Sequence, residues 1–337
     1  MADCCGGKNV SEKPDIGNAV KVNGIISIKD KIGSWKSRWS IGRMNYKVNP
    51  GLYLIGEPGA DSEVFISSNY KMSFDILRKN LNGLNAWIIV LDTKGINVWC
   101  AAGKGTFGTE ELIKMVDLTG IKDQINHKRL IVPQLGAPGI SAHEVAKRSG
   151  MKVIYGPVKA SDIKSFLKNN RKATSEMRKV TFPVWERLIL TPTELIHSLK
   201  YSPILFIILF LIDIVIGNNE ISIFYSDIII FAGALLTGTV LFPLFLPIIP
   251  VRSFVLKGWI IGLIYILLVD LFAFGTILGN YVHLIMIPPL ISFLAYNFTG
   301  STTFTNLSGV EKELKLAIPA YTISGISGLL ILVLKLF

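Results

Sequence analysis

The chain changes composition abruptly near residue 200, and this change limits what it can fold into. Only five of its 35 Lys and Arg residues, and only six of its 24 Asp and Glu residues, lie beyond that point. A stretch of that length with so few charges does not provide the surface of a soluble domain. We therefore predict two parts, a basic soluble domain followed by a membrane domain.

The second part contains five long apolar runs, each close to the roughly 17–25 residues that a membrane-spanning helix needs. The sequence therefore predicts an all-α domain of five transmembrane helices. The runs cover roughly residues 201–217, 228–249, 258–278, 282–298 and 316–336.

The charges of the connecting loops predict the orientation. The loops at 250–257 and 299–315 each carry two Lys or Arg residues, whereas the loop at 218–227 and the turn at 279–280 carry none. Positive loops stay on the cytoplasmic side, so we expect a multi-pass protein of the cell (inner) membrane with its N-terminal domain in the cytoplasm. The N-terminal segment, which lacks the apolar core of a secretory signal, agrees with that expectation.

Two acidic residues, Asp213 and Asp270, fall inside the apolar runs. A carboxylate is costly there, so a role in ion or substrate passage is one interpretation. The other is an acid that is hydrogen-bonded within the helix bundle.

The expected domain boundaries place a soluble α/β domain at 1–170, a basic juxtamembrane linker at 171–200 and the transmembrane domain at 201–337. The linker contains Trp185 and an excess of Lys and Arg, which suits anionic lipid headgroups. Because this charge adjoins the first apolar run, we predict the lipid bilayer as its partner and no nucleic acid. A capping box that begins at Thr191 predicts a helix leading to the membrane.

Short apolar runs alternate with amphipathic stretches from about residue 50. This alternation predicts an α/β fold with a mostly parallel sheet, in which ligands bind beyond the carboxyl ends of the strands. The predicted strands are 52–55, 63–67, 86–91, 95–99, 129–132 and 152–155, and the predicted helices are 72–81, 109–119, 141–149 and 160–169.

The segment 97–104, NVWCAAGK, places Cys100 after a predicted strand and before three small residues. If a short helix begins near Asn97 or Val98, Cys100 lies in its first turn, where the helix dipole favours a thiolate. The small residues would then leave a face against which a flat macrocycle can rest while the sulfur reaches a transition metal. A small buried structural cysteine is the alternative.

Other sites are less well supported. Residues 103–108 read G-x-G-x-x-G, but the acidic residue that a dinucleotide site needs about 20 positions further on is missing. The histidines show no zinc-ligand spacing with Cys100. A nucleophilic pair of Cys100 with His127 or His143 stays open.

The run INVWCAAGKGTFGTEEL at 96–112 resembles the cap-helix region of the mercury-methylating corrinoid protein family, HgcA. The octamer 97–104 is highly specific to that family, and the resemblance covers essentially the whole chain. It implies a Rossmann-like corrinoid-binding domain, similar to that of the corrinoid iron–sulfur protein, followed by five membrane spans.

The resemblance also implies a set of site residues. Cys100 is expected to be the catalytic residue and the lower axial ligand of the corrinoid cobalt, with Val98 and Trp99 beside the ring. Ser67 and Ser73, at positions where the family can carry threonine, are expected near the corrinoid and its nucleotide tail, and helix capping is their alternative role. The full set of expected cofactor-binding residues is Ser67, Ser73, Val98, Trp99, Cys100 and Ala160.

The implied activity is transfer of a methyl group from cobalt to Hg(II), which makes methylmercury. The methyl group would leave as a carbanion equivalent, and a thiolate suits the Co(III) that remains. A small ferredoxin with two [4Fe–4S] clusters would then supply electrons, and a methyl donor protein or a methylated folate would supply the next methyl group.

Two other functions remain as alternatives at this point. One is a corrinoid methyl carrier for a thiol or acetyl-CoA pathway, and the other is a transporter with a ligand-binding soluble domain. Cys4 and Cys5 form a vicinal pair of candidate Hg(II) ligands, although a solvated terminus is the preferred interpretation.

Overall fold

The chain divides into two compact units in a computed structural model that describes residues 19–200, 202–204, 207, 221–274, 281–302, 304–305 and 307–334. The first, the α/β unit, comprises the chain up to Ser37 and Ile41–Val180. The second, the helical unit, comprises Arg38–Ser40 and Thr181–Phe337. Cys4, Cys5 and Asp213, which the sequence analysis singled out, lie outside the described residues.

A six-stranded sheet forms the centre of the α/β unit, in the order β1-β2-β4-β3-β5-β6. All neighbouring pairs are parallel except β2 and β4, which are antiparallel. The carboxyl ends of β3 to β6 therefore share one edge of the sheet. The strands are β1 (Val20–Val22), β2 (Gly51–Ile55), β3 (Glu63–Ser68), β4 (Ala86–Leu91), β5 (Arg129–Val132) and β6 (Lys152–Tyr155).

Helices cover both faces of this sheet, because the strands are apolar on both sides. Along β3, Val64 and Ile66 belong to one core and Phe65 to the other. Helices α3 to α6 cover the first face, and α2 and α7 cover the second. The helices of this unit are α1 (Ile28–Arg38), α2 (Lys71–Asn80), α3 (Val98–Gly103), α4 (Thr109–Leu118), α5 (Ile121–Gln124), α6 (Ala142–Ser149) and α7 (Ile163–Lys168).

Most of the predicted α/β elements are confirmed, but the strand predicted at 95–99 is wrong. The chain leaves β4 at Leu91 and turns through Lys94 and Gly95, whose φ angles are 59° and 75°. This left-handed backbone ends the strand, and α3 begins at Val98 instead. The short helix considered for the Cys100 segment is therefore confirmed.

The helical unit begins with α8 (Val184–Leu188) and α9 (Thr191–Leu199). The predicted helix after Thr191 is confirmed, but its capping box is wrong. The Thr191 hydroxyl donates to the Leu188 carbonyl at 2.9 Å, and no side chain caps the first turn of α9. The near-continuous helical path from α8 provides acceptors for these amides, so a cap is not needed.

Among the described residues, four helices are long and apolar enough to cross a membrane: Asp227–Phe245, Phe254–Phe272, Val282–Gly300 and Ser308–Ile331. The first predicted span, 201–217, lies almost entirely outside the described residues. The long helices of the unit are α10 (Ile221–Leu236), α12 (Phe254–Val269), α13 (Tyr281–Asn297) and α14 (Leu307–Leu334), and the short helix α11 (Phe242–Phe245) lies between α10 and α12.

The start of α14 corrects one sequence expectation. The lysines of the predicted loop at 299–315 lie in the first turns of this helix, where Lys315 pairs with Glu311 at 2.9 Å. Charged residues at the end of a spanning helix continue it into the headgroup region, so the apolar pattern alone places its start too late.

Glycines bring α12 and α13 close together. A Cβ on Gly258 would lie 2.5 Å from the Ser292 Cα, and one on Gly262 would lie 2.6 Å from the Pro288 Cα. Glycines four residues apart permit such contact between apolar helices. Asp270, half-buried, begins a π-helical turn directly after α12.

Candidate functional site

A pocket of about 340 Å³ lies at the shared carboxyl edge of the sheet. Its walls include Ser67 at the end of β3, Pro133 after β5, and Gly156 with Pro157 after β6. This is the edge at which parallel α/β sheets bind ligands. The walls are mainly apolar, so the pocket suits a flat, poorly hydrated group.

The pocket brings together five of the six residues named from the sequence. Ser67, Ser73, Val98, Trp99 and Ala160 all line it. Cys100 is not a lining residue, but it follows Trp99 in the same helix and is half-buried. The first turn of α3 therefore carries both pocket walls and the thiol.

The start of α3 is fixed by Asn97. Its side chain accepts a hydrogen bond from the Cys100 N–H at 2.9 Å, which is the bond of a helix N-cap. Asn97 itself lines the pocket. One residue thus joins the pocket wall to the backbone of the cysteine.

The loop before α3 is held by a second asparagine. Asn69, which is buried, accepts hydrogen bonds from the N–H groups of Thr93 and Gly95 at 3.2 and 2.9 Å. Its amide nitrogen donates to Asp92 at 3.0 Å. Burial alone would raise the pKa of Asp92, but hydrogen bonds from Lys94 and Asn69 lower it below its ordinary value. These hydrogen bonds therefore fix the conformation of the loop, and the Asp92 carboxylate in it is ionised at neutral pH.

The small residues after Cys100 have a structural role, contrary to the sequence interpretation. Ala101 and Ala102 are buried in the protein core, so they offer no open face to a ligand. A Cβ on Gly139 would lie 2.1 Å from the Phe107 carbonyl oxygen and 3.1 Å from the Ala102 Cα. The alanines allow α3 to pack closely against the segment Gln134–Gly139, a packing need that the sequence pattern does not reveal.

The serine hydroxyls differ in surroundings. Ser67 is buried, and its hydroxyl donates to the Ser68 carbonyl at a long 3.3 Å. Ser73 lies in the first turn of α2 and is half-buried, and no side chain caps that helix. Capping, the alternative role for these two serines, is therefore wrong.

A backbone hydrogen bond ties the end of the α/β unit to the pocket. The Val158 N–H, in a lining residue, donates to the Met177 carbonyl at 2.8 Å. Arg178, which directly follows Met177, donates a hydrogen bond to the Gln134 side chain at 3.1 Å. The stretch that ends at Val180 thus packs beside the pocket wall.

His127 and the glycine motif do not join this site. His127 binds the Ser62 carbonyl at 2.9 Å, directly before β3 and so at the opposite edge of the sheet, which excludes a pair with Cys100. The G-x-G-x-x-G motif follows a helix rather than a strand, because α3 precedes it. Within the described residues, no group of three or more His, Cys, Asp or Glu side chains could hold a metal ion.

Several pocket residues were not found from the sequence. Leu77 and Ile163 line the pocket from α2 and α7, and Pro133 and Pro157 follow the ends of two strands. The prolines carried a signal, since a residue directly after a strand of a parallel sheet lies at the ligand-binding edge. Leu77 and Ile163 follow the ordinary apolar pattern of core-facing helices, so the sequence carries no signal that they line a site.

The pocket-forming segment is similar to known proteins. Residues 40–167 match the family described as CO dehydrogenase/acetyl-CoA synthase delta subunit (CdhD). The chain is 32% identical over 130 residues to the acetyl-CoA decarbonylase/synthase complex subunit gamma of Archaeoglobus fulgidus, which is 38% of this chain and 27% of that protein. It is 30% identical over 125 residues to the subunit of the same name from Methanocaldococcus jannaschii, with 36% and 25% covered.

This similarity is confined to one part of each protein. The chain spans about a quarter of the length of these curated relatives. The family match ends at residue 167, before the apolar helices, but it contains every residue predicted for the site. Over residues 40–167, which include the pocket residues, the chain is thus similar to the CO dehydrogenase/acetyl-CoA synthase delta subunit.

Proposed function

We propose that the α/β unit binds a corrinoid and serves methyl transfer, and that the helical unit anchors it to a membrane. The observation that carries this proposal is the pocket itself. Five of the six residues that one resemblance names for a corrinoid site line a single cavity, inside the segment that matches the CO dehydrogenase/acetyl-CoA synthase delta subunit family.

The pocket fits part of such a cofactor. A volume of 340 Å³ is near the lower end of the range of about 300–1,000 Å³ for small-molecule sites. It suits the flat base of a nucleotide tail better than a whole corrinoid. The apolar walls favour that base, and the hydroxyls of Ser67 and Ser73 offer it hydrogen bonds.

The residues of α3 would then face the rest of the cofactor. Val98 and Trp99 provide an apolar edge at the pocket, and Trp99 is exposed enough to contact a ring. Cys100 would hold the cobalt through its thiolate. When bound, the corrinoid supplies a methyl group that is held on cobalt and can be passed to an acceptor.

The similarity to acetyl-CoA decarbonylase/synthase subunits favours a corrinoid methyl carrier whose acceptor belongs to a thiol or acetyl-CoA pathway. Mercury methylation is the second candidate, supported by the specific octamer 97–104. A soft, anionic cysteine ligand suits departure of methyl toward a soft metal ion such as Hg(II). The apolar helices lie outside the family match, which ends at residue 167, and the resemblance that suggests mercury methylation also implies membrane spans.

An external source of electrons is part of the proposal. A [4Fe–4S] cluster usually takes four cysteine ligands, and this chain has three cysteines, of which Cys100 is already assigned. A separate small ferredoxin with two [4Fe–4S] clusters therefore fits this need. A methyl donor protein or a methylated folate fits the need for a new methyl group.

The membrane assignment rests on the four long apolar helices and on the loop charges. By the positive-inside rule, we propose that the α/β unit lies on the cytoplasmic side of the cell membrane. Protease treatment of right-side-out and inverted membrane vesicles tests this. The α/β unit should be cleaved only in inverted vesicles, and cleavage in right-side-out vesicles would contradict the orientation.

The decisive experiment purifies the full-length protein anaerobically and measures cobalt and corrinoid per chain. The methylated protein is then mixed with Hg(II), with a small thiol, or with coenzyme A and carbon monoxide plus an acetyl-CoA synthase. Transfer to the thiol or to acetyl-CoA alone supports the carrier, and transfer to Hg(II) supports mercury methylation. A protein without corrinoid would overturn both.

Cys100→Ala tests the cobalt ligand in the same preparation. The variant should lose the sulfur signal from the cobalt X-ray absorption spectrum and lose methyl transfer, while it keeps the fold. Cys100→Ser should be nearly as impaired, because a hydroxyl is a harder and much less acidic ligand. An unchanged cobalt spectrum with full activity in Cys100→Ala would remove Cys100 from the proposal.

A further inference from the structure

Helix α1 carries an apolar stripe on its solvent side. Ile28, Ile32 and Trp35 are spaced by four and three residues, so they lie on one side of the helix. They are 74%, 49% and 58% exposed, and Ile25 just before the helix is 69% exposed. An ordinary surface helix buries such a stripe, so α1 is oriented opposite to expectation.

The other side of α1 is polar and faces the α/β unit. Ser37 is fully buried, and Asp30 accepts a hydrogen bond from Arg78 of α2 at 2.8 Å. A Cβ on Gly33 would lie 2.6 Å from the ring of Tyr46. These contacts fix the rotation of α1 about its own axis, so its apolar stripe is held facing outward from the α/β unit.

Basic side chains border the stripe. Lys29 and Lys36 fall on one flank and Lys31 on the other, by the helical rotation of about 100° per residue, and all three are exposed. The only acid in α1, Asp30, is turned toward Lys71 and Arg78. The exposed surface of α1 is therefore apolar in the middle and positive at both margins, as in helices that lie on anionic membranes.

The C-terminal end of α1 selects the membrane as the occupant of this surface. Arg38–Ser40 belongs to the helical unit, where the Arg38 carbonyl accepts a hydrogen bond from the Thr193 hydroxyl at 2.7 Å. Thr193 lies in α9, about two helical turns before the first predicted apolar run at 201–217. The end of α1 is thus tied to the part of the chain that approaches the bilayer.

We propose that α1 is an interfacial helix that lies on the cytoplasmic surface of the membrane. Its stripe of Ile28, Ile32 and Trp35 enters the boundary between headgroups and acyl chains, and its lysines bind anionic headgroups. This inference uses the membrane location, but it is independent of the corrinoid site and of the methyl acceptor.

The test places a photoreactive residue, p-benzoylphenylalanine, at position 32 of the full-length protein. The protein is reconstituted in nanodiscs of phosphatidylcholine, with or without phosphatidylglycerol, and cross-links to lipid are measured by mass spectrometry. Position 118 in α4 is the matched control, because Leu118 is 46% exposed against 49% for Ile32. Position 329 in the last spanning helix reports insertion itself.

We expect lipid cross-links at 329 and 32 but several-fold fewer at 118, and an increase at 32 when phosphatidylglycerol is present. The triple variant Lys29→Gln, Lys31→Gln, Lys36→Gln should remove that increase. A matched triple of exposed lysines elsewhere, Lys128→Gln, Lys147→Gln, Lys152→Gln, should keep it.

Three results would overturn the proposal. The first is a yield of lipid cross-links at position 32 that equals the yield at position 118. The second is a cross-link from position 32 to a second copy of the chain. Absence of lipid cross-links at 329 would overturn the membrane location together with the role of α1. Corrinoid content, measured on the same samples, reports separately on the proposed function.

Discussion

Asn97 accepts a hydrogen bond from the Cys100 N–H at 2.9 Å, so the residue that lines the pocket also fixes the backbone of the thiol. Helix α3 is only six residues long and gains little stability from its own hydrogen bonds. Its position therefore depends on this cap, on the Asn69 loop and on close packing. The cap and the packing each lead to a test.

Asn97→Ala removes the cap and should destabilise α3 by about 1 kcal/mol. We expect faster hydrogen exchange at the amides of Cys100 and Ala101, and weaker retention of corrinoid after gel filtration. Asn97→Asp keeps an acceptor oxygen and should stay close to the native protein. Unchanged amide exchange in Asn97→Ala would show that packing alone holds the helix.

Gly139→Ala tests the packing of α3. The new Cβ would lie 2.1 Å from the Phe107 carbonyl oxygen, which is backbone and cannot move aside cheaply. We expect a loss of about 1–3 kcal/mol in unfolding free energy, typical of overpacking, together with a lower corrinoid affinity. Gly59→Ala is the control, because nothing lies within 4 Å of a Cβ there. Equal thermal unfolding of the two variants would contradict the close contact.

Ser73→Ala should weaken corrinoid binding by roughly 1 kcal/mol, or about fivefold, if its hydroxyl bonds the cofactor. Ser73→Thr retains the hydroxyl at a half-buried position and should bind nearly as well as the native protein. The affinity is measured by titrating the apoprotein with corrinoid and following the absorbance. Ser161→Ala, an exposed site beside Ala160, serves as a negative control, and an equal effect there would argue against a specific contact.

The ion-pair network of Asp30 predicts a pH dependence of stability. Burial alone would raise the pKa of Asp30, but hydrogen bonds from Lys71 and Ser27 outweigh it and lower the pKa well below the ordinary value of about 3.9. The unfolded chain therefore takes up a proton first as the pH falls. The stability from this carboxylate is fully present above about pH 4 and is lost below it, toward the lower pKa of the folded state.

Asp30→Asn should therefore be less stable than the native protein at pH 7, by about 2 kcal/mol, and should lose less stability between pH 5 and about pH 3. Thermal unfolding of the full-length protein in detergent at several pH values measures both effects. Asp61→Asn, at an exposed position, should follow the native curve. Parallel curves for native protein and Asp30→Asn would exclude Asp30 as the source of the pH dependence.

Hydrophobic periodicity predicted most elements of the α/β unit, because a run such as Ala86–Leu91 is apolar throughout and is buried on both faces. It failed at 95–99, where Ile96, Val98 and Trp99 have strand-like side chains but a left-handed turn and an Asn cap decide the structure. The antiparallel pairing of β2 with β4 was not predictable, since alternation carries no strand direction.

The site was predictable to a similar degree. The resemblance of the octamer named residues that line the pocket, whereas the pattern of small residues after Cys100 wrongly assigned Ala101 and Ala102 to an open face. Their burial depends on Gly139, which is distant in sequence and meets them only in the folded chain. Local pattern identifies which residue types a site needs, whereas the packing partners of α3 follow from the tertiary structure.

The hydrogen bond from Val158 to Met177 closes a loop of chain beside the pocket. The loop runs from one wall of the pocket to the last few residues before Val180, where the chain leaves the α/β unit. Within this loop, Arg171 pairs with Glu63 at the start of β3. A fragment cut at residue 167, where the family match ends, would therefore lack both the acceptor for the Val158 N–H and the partner of Glu63.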